Sequence, residues 1–251
     1  MAKDLFSGHA DTYAKYRPSY PLALFDYICS FVHNKDRAWD CATGNGQAAV
    51  ALSDYFSHID ATDISQKQID NAIPRKNISY HCCPAEATPF ESNSFDLITV
   101  AQAYHWLDWN KFAKEAERVA KRDAVVAVWG YHLVHLDDEK INNLILHFYR
   151  DITGPFWDAE RKYVDEYYRT VDFPYELLPV KQFTTELEWE KSHLLGYLES
   201  WSAVQHYTKQ KGHAAIDLIR PELDRLWDDN KSRIIRFPVF MRIGRVKTDK
   251  T

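Results

Sequence analysis

The segment Asp40-Cys41-Ala42-Thr43-Gly44-Asn45-Gly46-Gln47 restricts this chain more than any other. A short apolar run, Ala38-Trp39-Asp40-Cys41, feeds directly into a turn with two glycines, and the alanine-rich stretch QAAVALSDYF follows. Strand, glycine turn and helix in direct succession form the opening unit of an α/β sheet. Glycines there let the backbone approach a ligand closely, and ligands of open α/β sheets sit beyond the carboxyl ends of the strands.

The alternation continues down the chain. His58 to Asp63 read as a second strand ending in an acid, and Ser65 stands at an N-cap position before the helix QKQIDNAI. Ile78 to Cys82 predict a third strand. Phe95 to Ala101 predict a fourth, a near-continuous apolar run suited to a strand covered on both faces. Phe112, Ala116 and Val119 fall at helical spacing, and Ala124 to Trp129 predict a fifth strand. Upstream, Pro21 suits the first turn of a helix whose Phe25, Ile28 and Val32 share one face. The pattern predicts a parallel sheet with helices on both sides.

From residue 132 to 178 the strands stop. Ile141, Leu144, Ile145 and Phe148 form one amphipathic stripe, and PFWDAERKYVDEYYRTVDFPYELL mixes aromatics with charges. This segment reads as an insertion packed over the sheet's carboxyl edge. The sheet is expected to resume at Val180 to Glu190. Helices follow from Leu194 and from about Ala214, and Arg233 to Val246 close the chain as an edge or hairpin strand because Pro238 lies inside it. The expected organisation is one domain: an N-terminal lid and first helix (1–34), a cofactor-binding half (35–131), a helical substrate cap (132–178) and the C-terminal part of the sheet (179–251).

Two cofactors suit the glycine turn. Gly44, Gly46 and Ala49 meet the G-x-G-x-x-A spacing of a dinucleotide site, which keeps an NAD-dependent oxidoreductase open. Asp40, Ala42, Gly44 and Gly46 instead meet an acid followed by small residues at alternate positions, as S-adenosylmethionine requires. A carboxylate at Asp40 favours the ammonium and sulfonium of that cofactor and repels a pyrophosphate. Asp63, at the end of the second strand, is placed to hydrogen-bond a ribose diol. A binding protein that holds the cofactor without chemistry is a third reading.

Charge and composition narrow the partners. The net charge is −5 and no Lys/Arg block exceeds two residues, so neither nucleic acid nor an anionic membrane is the expected partner. The four cysteines lack metal-ligand spacing, so no metal is expected. The N-terminus reads as no signal peptide, and the expected setting is the cytoplasm.

Three further segments carry a family likeness: Phe6 through Ala10-Asp-Thr-Tyr13-Ala-Lys-Tyr16-Arg17-Pro18-Ser-Tyr20-Pro21, Phe95-Asp96 through Ala101-Gln102-Ala103-Tyr104-His105-Trp106, and Tyr197-Leu-Glu-Ser-Trp201-Ser202. Together they resemble the class I S-adenosylmethionine-dependent methyltransferases, over nearly the whole chain, and most closely the trans-aconitate methyltransferase-like subgroup. The resemblance implies a Rossmann-like, seven-stranded, mostly parallel sheet with helices on both faces and a helical insertion after strand five. It implies methyl transfer to a small-molecule acceptor, in this subgroup a carboxylic acid. Carried over by position, the Asp40–Gly46 loop holds the methionine part, Asp63 the ribose, and Ile64 the adenine face. Ala85 and Glu86 reach the adenine edge, and Gln102 floors the site under the sulfonium. Ala42 departs from the usual glycine and is tolerable at negative φ; Pro84 removes one possible adenine contact.

The residues themselves suggest the remaining roles. Tyr13 and Arg17 are placed to close over the cofactor. Tyr13 and Tyr104 are candidates to set an aromatic face near the sulfonium. His105, just past strand four, is the candidate catalytic base. Trp106, His132, Trp157, Arg161 and Tyr168 are the candidate substrate contacts, chosen by their location beside or within the cap.

Overall fold

Alternate residues of each central strand go to opposite sides of one sheet. Ala38, Ile59, Ala61, Leu97, Val125, Ala127 and Trp129 belong to one apolar cluster. Trp39, Cys41, Ile98, Val100, Val126 and Val128 belong to the other. This is the period of two that a strand imposes, with both faces covered. The structure is a computed structural model that describes residues 16–246.

The strands are β1 (Arg37–Cys41), β2 (His58–Asp63), β3 (Ile78–Cys82), β4 (Phe95–Ala101) and β5 (Ala120–Tyr131). They lie parallel in the order β3-β2-β1-β4-β5. Successive strands are added outward from β1 on one side and then from β4 on the other, and this switch between β1 and β4 opens a crevice at the strands' carboxyl ends. Helix α1 (Leu22–Cys29) precedes β1, α2 (Gln47–Leu52) connects β1 to β2, α3 (Gln66–Asp70) connects β2 to β3, and α4 (Trp109–Val119) connects β4 to β5. Ser65 caps α3 as expected, its hydroxyl accepting from the Gln68 amide at 3.4 Å.

Beyond β5 lie α5 (Glu139–His147), a π turn over Phe148–Ile152, α6 (Arg161–Asp165) and the two-residue strand β6 (Glu176–Leu177). Then come β7 (Phe183–Trp189), α7 (Lys191–Glu199), α8 (Ser202–Lys211), α9 (Arg220–Leu226) and β8 (Arg233–Arg245). The sheet therefore has eight strands where seven were expected, the extra one being β6 at the end of the cap segment.

β8 corrects a second expectation. It is interior, antiparallel to β5 on one side and to β7 and β6 on the other. Pro238 fits because it lies one residue past the last β5 pair, Tyr131↔Val239. Its carbonyl accepts from the His132 amide at 3.0 Å, so its missing donor falls on the side where the β5 ladder ends.

Candidate functional site

A cavity of ≈ 230 Å³ opens at the carboxyl ends of β1, β2 and β4. Its wall includes Arg17, Ala42, Gly44, Asp63, Ile64, Ala85, Glu86, Gln102 and Trp106, so the structure gathers most of the expected cofactor residues in one place. Tyr13 lies outside the described residues.

The loop after β1 is held by Asp63. The Gly44 amide donates to Asp63 Oδ2 at 2.9 Å, and the Ser65 amide donates to Oδ1 at 2.9 Å. Each carboxylate oxygen accepts more than one donor, so these bonds orient Asp63 without exhausting it. Thr43 reinforces the loop by donating its amide to the Thr62 carbonyl at 2.9 Å. Ala42 carries φ +52°, against the negative value expected. That left-handed backbone strains any residue with a Cβ, and Ala42 holds it because the flanking bonds fix the turn.

Asp40 corrects the electrostatic expectation. Its carboxylate is fully buried and is not part of the cavity wall. Oδ2 accepts from the Thr43 hydroxyl at 2.5 Å and Oδ1 from the Thr99 hydroxyl at 2.7 Å. Burial raises its pKa to about 6, against which the two hydroxyls pull downward. Asp40 is thus a brace beneath the loop and does not face a cationic ligand. Gly46 is also off the wall. With φ +88° it opens α2, and a Cβ there would come 2.3 Å from the Tyr80 hydroxyl.

Gln102 lines the floor with φ +55°. Its Oε1 accepts from the Tyr131 amide at 2.8 Å. The side chain can lie there because a Cβ on Gly130 would approach that oxygen to 2.6 Å, and glycine has none. Glu86 Oε1 accepts from the Asp108 amide at 3.2 Å, and Ala85, Pro84 and Ile64 complete this end. Arg17 donates to the Tyr131 hydroxyl at 2.8 Å and to the Ser200 carbonyl at 3.2 Å, which pins the segment before α1 against the sheet.

Sequence reasoning missed Gln68. It is buried, it lines the cavity, and its Oε1 has no hydrogen-bond partner among the described residues. A polar residue on the inward face of a helix that starts at a ligand-facing strand end was the available signal. A buried acceptor left unpaired costs about 1–3 kcal/mol, so this atom calls for a donor from a bound molecule.

The expected base and substrate residues fall elsewhere. His105 is buried off the cavity wall, with Nδ1 2.9 Å from the Tyr168 hydroxyl. Burial, helped by the Arg161 charge, lowers its pKa to about 3, so it is neutral and held by Tyr168. Tyr168 is itself fully buried. Tyr104 is buried too, its hydroxyl donating to the Asp172 carbonyl at 2.7 Å, which turns it from any sulfonium. His132, Trp157 and Arg161 are not on the wall; they belong to a polar and aromatic cluster in the cap. His132 lies 4.0 Å from Asp165 and stacks on Tyr167 with ring centroids 5.0 Å apart. Of the substrate candidates, Trp106 alone lines the cavity, and Glu160, not anticipated, joins it.

Comparison with known proteins bears on the chemistry. Residues 39–128 match the family described as methyltransferase domain. A Dictyostelium discoideum protein provisionally named a methyltransferase is 30% identical over 249 residues, 96% of this chain and 95% of that one. A solved structure of an Anaeromyxobacter dehalogenans protein, provisionally described as a type II methyltransferase, is 33% identical with a TM-score of 0.86, covering 92% of this chain and 98% of that one. The YcgJ protein of Bacillus subtilis, 16% identical with a TM-score of 0.51 over 90% of this chain and 98% of that one, shares the fold.

Proposed function

This chain belongs to the class I S-adenosylmethionine-dependent methyltransferases, and from that premise we propose that its acceptor is a small molecule, a carboxylic acid. The dinucleotide reading falls with this membership. The narrower placement beside the trans-aconitate methyltransferase-like enzymes, the cytoplasmic setting and the division into lid, cofactor half, cap and C-terminal sheet remain part of the proposal.

The cavity fits the cofactor. Gln68 Oε1 is a buried acceptor on its wall with no partner among the described residues, and the Asp63 carboxylate stands on the same wall. Among the described residues a Cβ on Gly44 would meet nothing nearer than that Gln68 oxygen at 3.9 Å, so the loop backbone is open to a ligand. We assign Asp63 to the ribose hydroxyls, Ile64, Ala85 and Glu86 to the adenine, and the Ala42–Gly44 backbone with Gln68 to the amino-acid part. Gln102 and Trp106 floor the site. Bound S-adenosylmethionine supplies an electrophilic methyl group on a sulfonium.

The residues of the chain then position and shield. Tyr20, Trp106, Leu107 and Tyr131 line the cavity and exclude water from the reacting centre. Holding the acceptor in line supplies about 7–11 kcal/mol of the barrier reduction. The acceptor's lone pair forms the new bond to the methyl carbon, the old bonding pair stays on sulfur, and a proton on the acceptor atom, where there is one, leaves to solvent.

One observation supports the acid most: no histidine or lysine lines the cavity among the described residues. A carboxylate, with an ordinary pKa of about 4, is already ionised at pH 7 and needs no base to act as the nucleophile, and His105 stands off the wall. The experiment is methyl transfer from labelled cofactor to a panel of small carboxylic acids and their neutral amides, after calorimetric titration with S-adenosylhomocysteine. We expect binding, and label on acids in preference to amides. No binding at millimolar S-adenosylhomocysteine overturns the cofactor site, and label on amides as readily as on acids overturns the acceptor class.

A further inference from the structure

The edge of the sheet beyond β8 has a notch. β7 pairs with β8 from Arg233 to Val239, and β6 pairs with it at Gly244 and Arg245. Between those two ladders Phe240, Met241 and Arg242 have no partner strand on that side among the described residues. The Pro238 carbonyl turns toward β5, where it accepts from the His132 amide. The Ile243 carbonyl turns the other way and accepts from the Leu178 amide at 2.9 Å. Alternation along the strand then aims the Met241 amide and carbonyl into the notch. A second cavity, of ≈ 650 Å³, occupies it and shares no lining residue with the cofactor cavity. Val180, Phe183 and Phe240 give it apolar walls, and Arg169, Lys181 and Arg242 give it charge, with no Asp or Glu on the wall among the described residues.

The chain carries 36 acidic side chains against 31 basic ones, yet none of these three cations is in an ion pair among the described residues. Each lies against an aromatic ring instead: Arg169 5.2 Å from the Tyr167 centroid, Lys181 4.8 Å from that of Tyr27, and Arg242 4.7 Å from that of Phe173. Arg169 and Lys181 are exposed and Arg242 is half-buried. Arg242 is fixed from behind, its Nη1 donating to the Tyr168 carbonyl at 3.0 Å and to the Val171 carbonyl at 2.7 Å. Those bonds tie to β8 the turn of the cap that carries Tyr167 and Arg169 to the cavity. The turn is strained, with Tyr167 at φ +57° and Tyr168 at φ +56°, two bulky residues in succession in the left-handed region. Strain of this kind persists where surrounding contacts over-determine it, and it gathers at ligand clamps. Burial lowers the pKa of Arg242, as for a charge drawn out of water without a full counter-charge.

We propose that this notch is a second ligand site, separate from the methyl-transfer cavity, and that it takes a phosphate monoester with an apolar body. The phosphate meets Arg169 and Lys181 at the mouth and Arg242 further in, with the Met241 amide as a neutral donor. The apolar body lies along Val180, Phe183 and Phe240. A dianion suits the site because it can face more than one cation at once, and its oxygens accept charge-assisted bonds from guanidinium, ammonium and amide donors alike. A neutral molecule leaves the cations unmatched, and inorganic phosphate leaves the apolar walls uncovered.

The test is calorimetry on the full chain with phenyl phosphate, inorganic phosphate and phenol, each with and without saturating S-adenosylhomocysteine. Phenyl phosphate binds in both conditions, about tenfold more tightly than inorganic phosphate, and phenol does not bind. The double substitution Arg169→Gln with Lys181→Gln changes two exposed side chains. It weakens phenyl phosphate by about tenfold or more and leaves S-adenosylhomocysteine affinity and melting temperature unchanged. Val180→Asp sets an acid at the exposed rim and weakens phenyl phosphate as well. No binding of phenyl phosphate at millimolar concentration, binding no tighter than inorganic phosphate, displacement by S-adenosylhomocysteine, or undiminished affinity in the double variant each overturns the proposal. Failure of S-adenosylhomocysteine to bind overturns the methyl-transfer reading instead, and leaves the phenyl phosphate titration to decide the second site.

Discussion

Gly44 and Asp63 stand at the ends of two different strands and are joined by a 2.9 Å hydrogen bond from the Gly44 amide to Asp63 Oδ2. One carboxylate thereby shapes the loop and faces the cavity that the loop encloses. Asp63→Ala should weaken S-adenosylhomocysteine binding by about 1–3 kcal/mol, through loss of a charge-assisted acceptor and of the loop tether. Calorimetric titration reads this directly, and an unchanged affinity would remove Asp63 from the site.

Gln68 separates binding from stability. Its Oε1 is buried without a partner among the described residues, so Gln68→Met removes an unsatisfied acceptor at similar volume. The variant should resist urea as well as the parent or better by about 1 kcal/mol, while S-adenosylhomocysteine binds several-fold more weakly. Undiminished ligand affinity would show that Gln68 meets no donor of the cofactor.

Ala42 carries its strain in a short backbone segment. At φ +52°, Ala42→Gly relieves a left-handed penalty of about 1–2 kcal/mol and costs part of that in unfolded-state entropy. The net expectation is a gain of about 0.5–1 kcal/mol, seen as a rise in melting temperature. A lower melting temperature would mean that the methyl group packs better than the backbone suffers.

His105 gives a pH signature. Its folded pKa of about 3 lies below the ordinary 6.5, chiefly because it is buried, so the unfolded chain takes up a proton that the folded chain refuses. The stability it contributes is complete above pH 6.5 and is lost as pH falls from there toward 3. Urea titrations should show the parent losing up to about 1.4 kcal/mol per pH unit more than His105→Gln in that window. Asp40 also titrates near pH 6, but it does so in both proteins and cancels in the difference. Parallel pH profiles would mean that His105 is protonated in the fold.

The sequence by itself determined the strand–helix alternation, the glycine turn after β1, the Ser65 cap and the cavity placement of Asp63. Each depends on near neighbours: side-chain periodicity, the backbone freedom of glycine, and the position of an acid at a strand end. Only the tertiary structure decided what the remaining groups do. Asp40 stands at a strand end like a ligand-facing acid, but Thr99, 59 residues away, shares its carboxylate with Thr43. His105 was drawn off the cavity by Tyr168, 63 residues distant, and Gln102 lies over β5 because Gly130 leaves it room. β8 became interior because β5 and β7 both pair with it, which Pro238 alone argued against. A side chain's direction is set by whichever partner best satisfies its polar atoms, and where that partner arrives from a distant part of the chain, no local pattern carries the information.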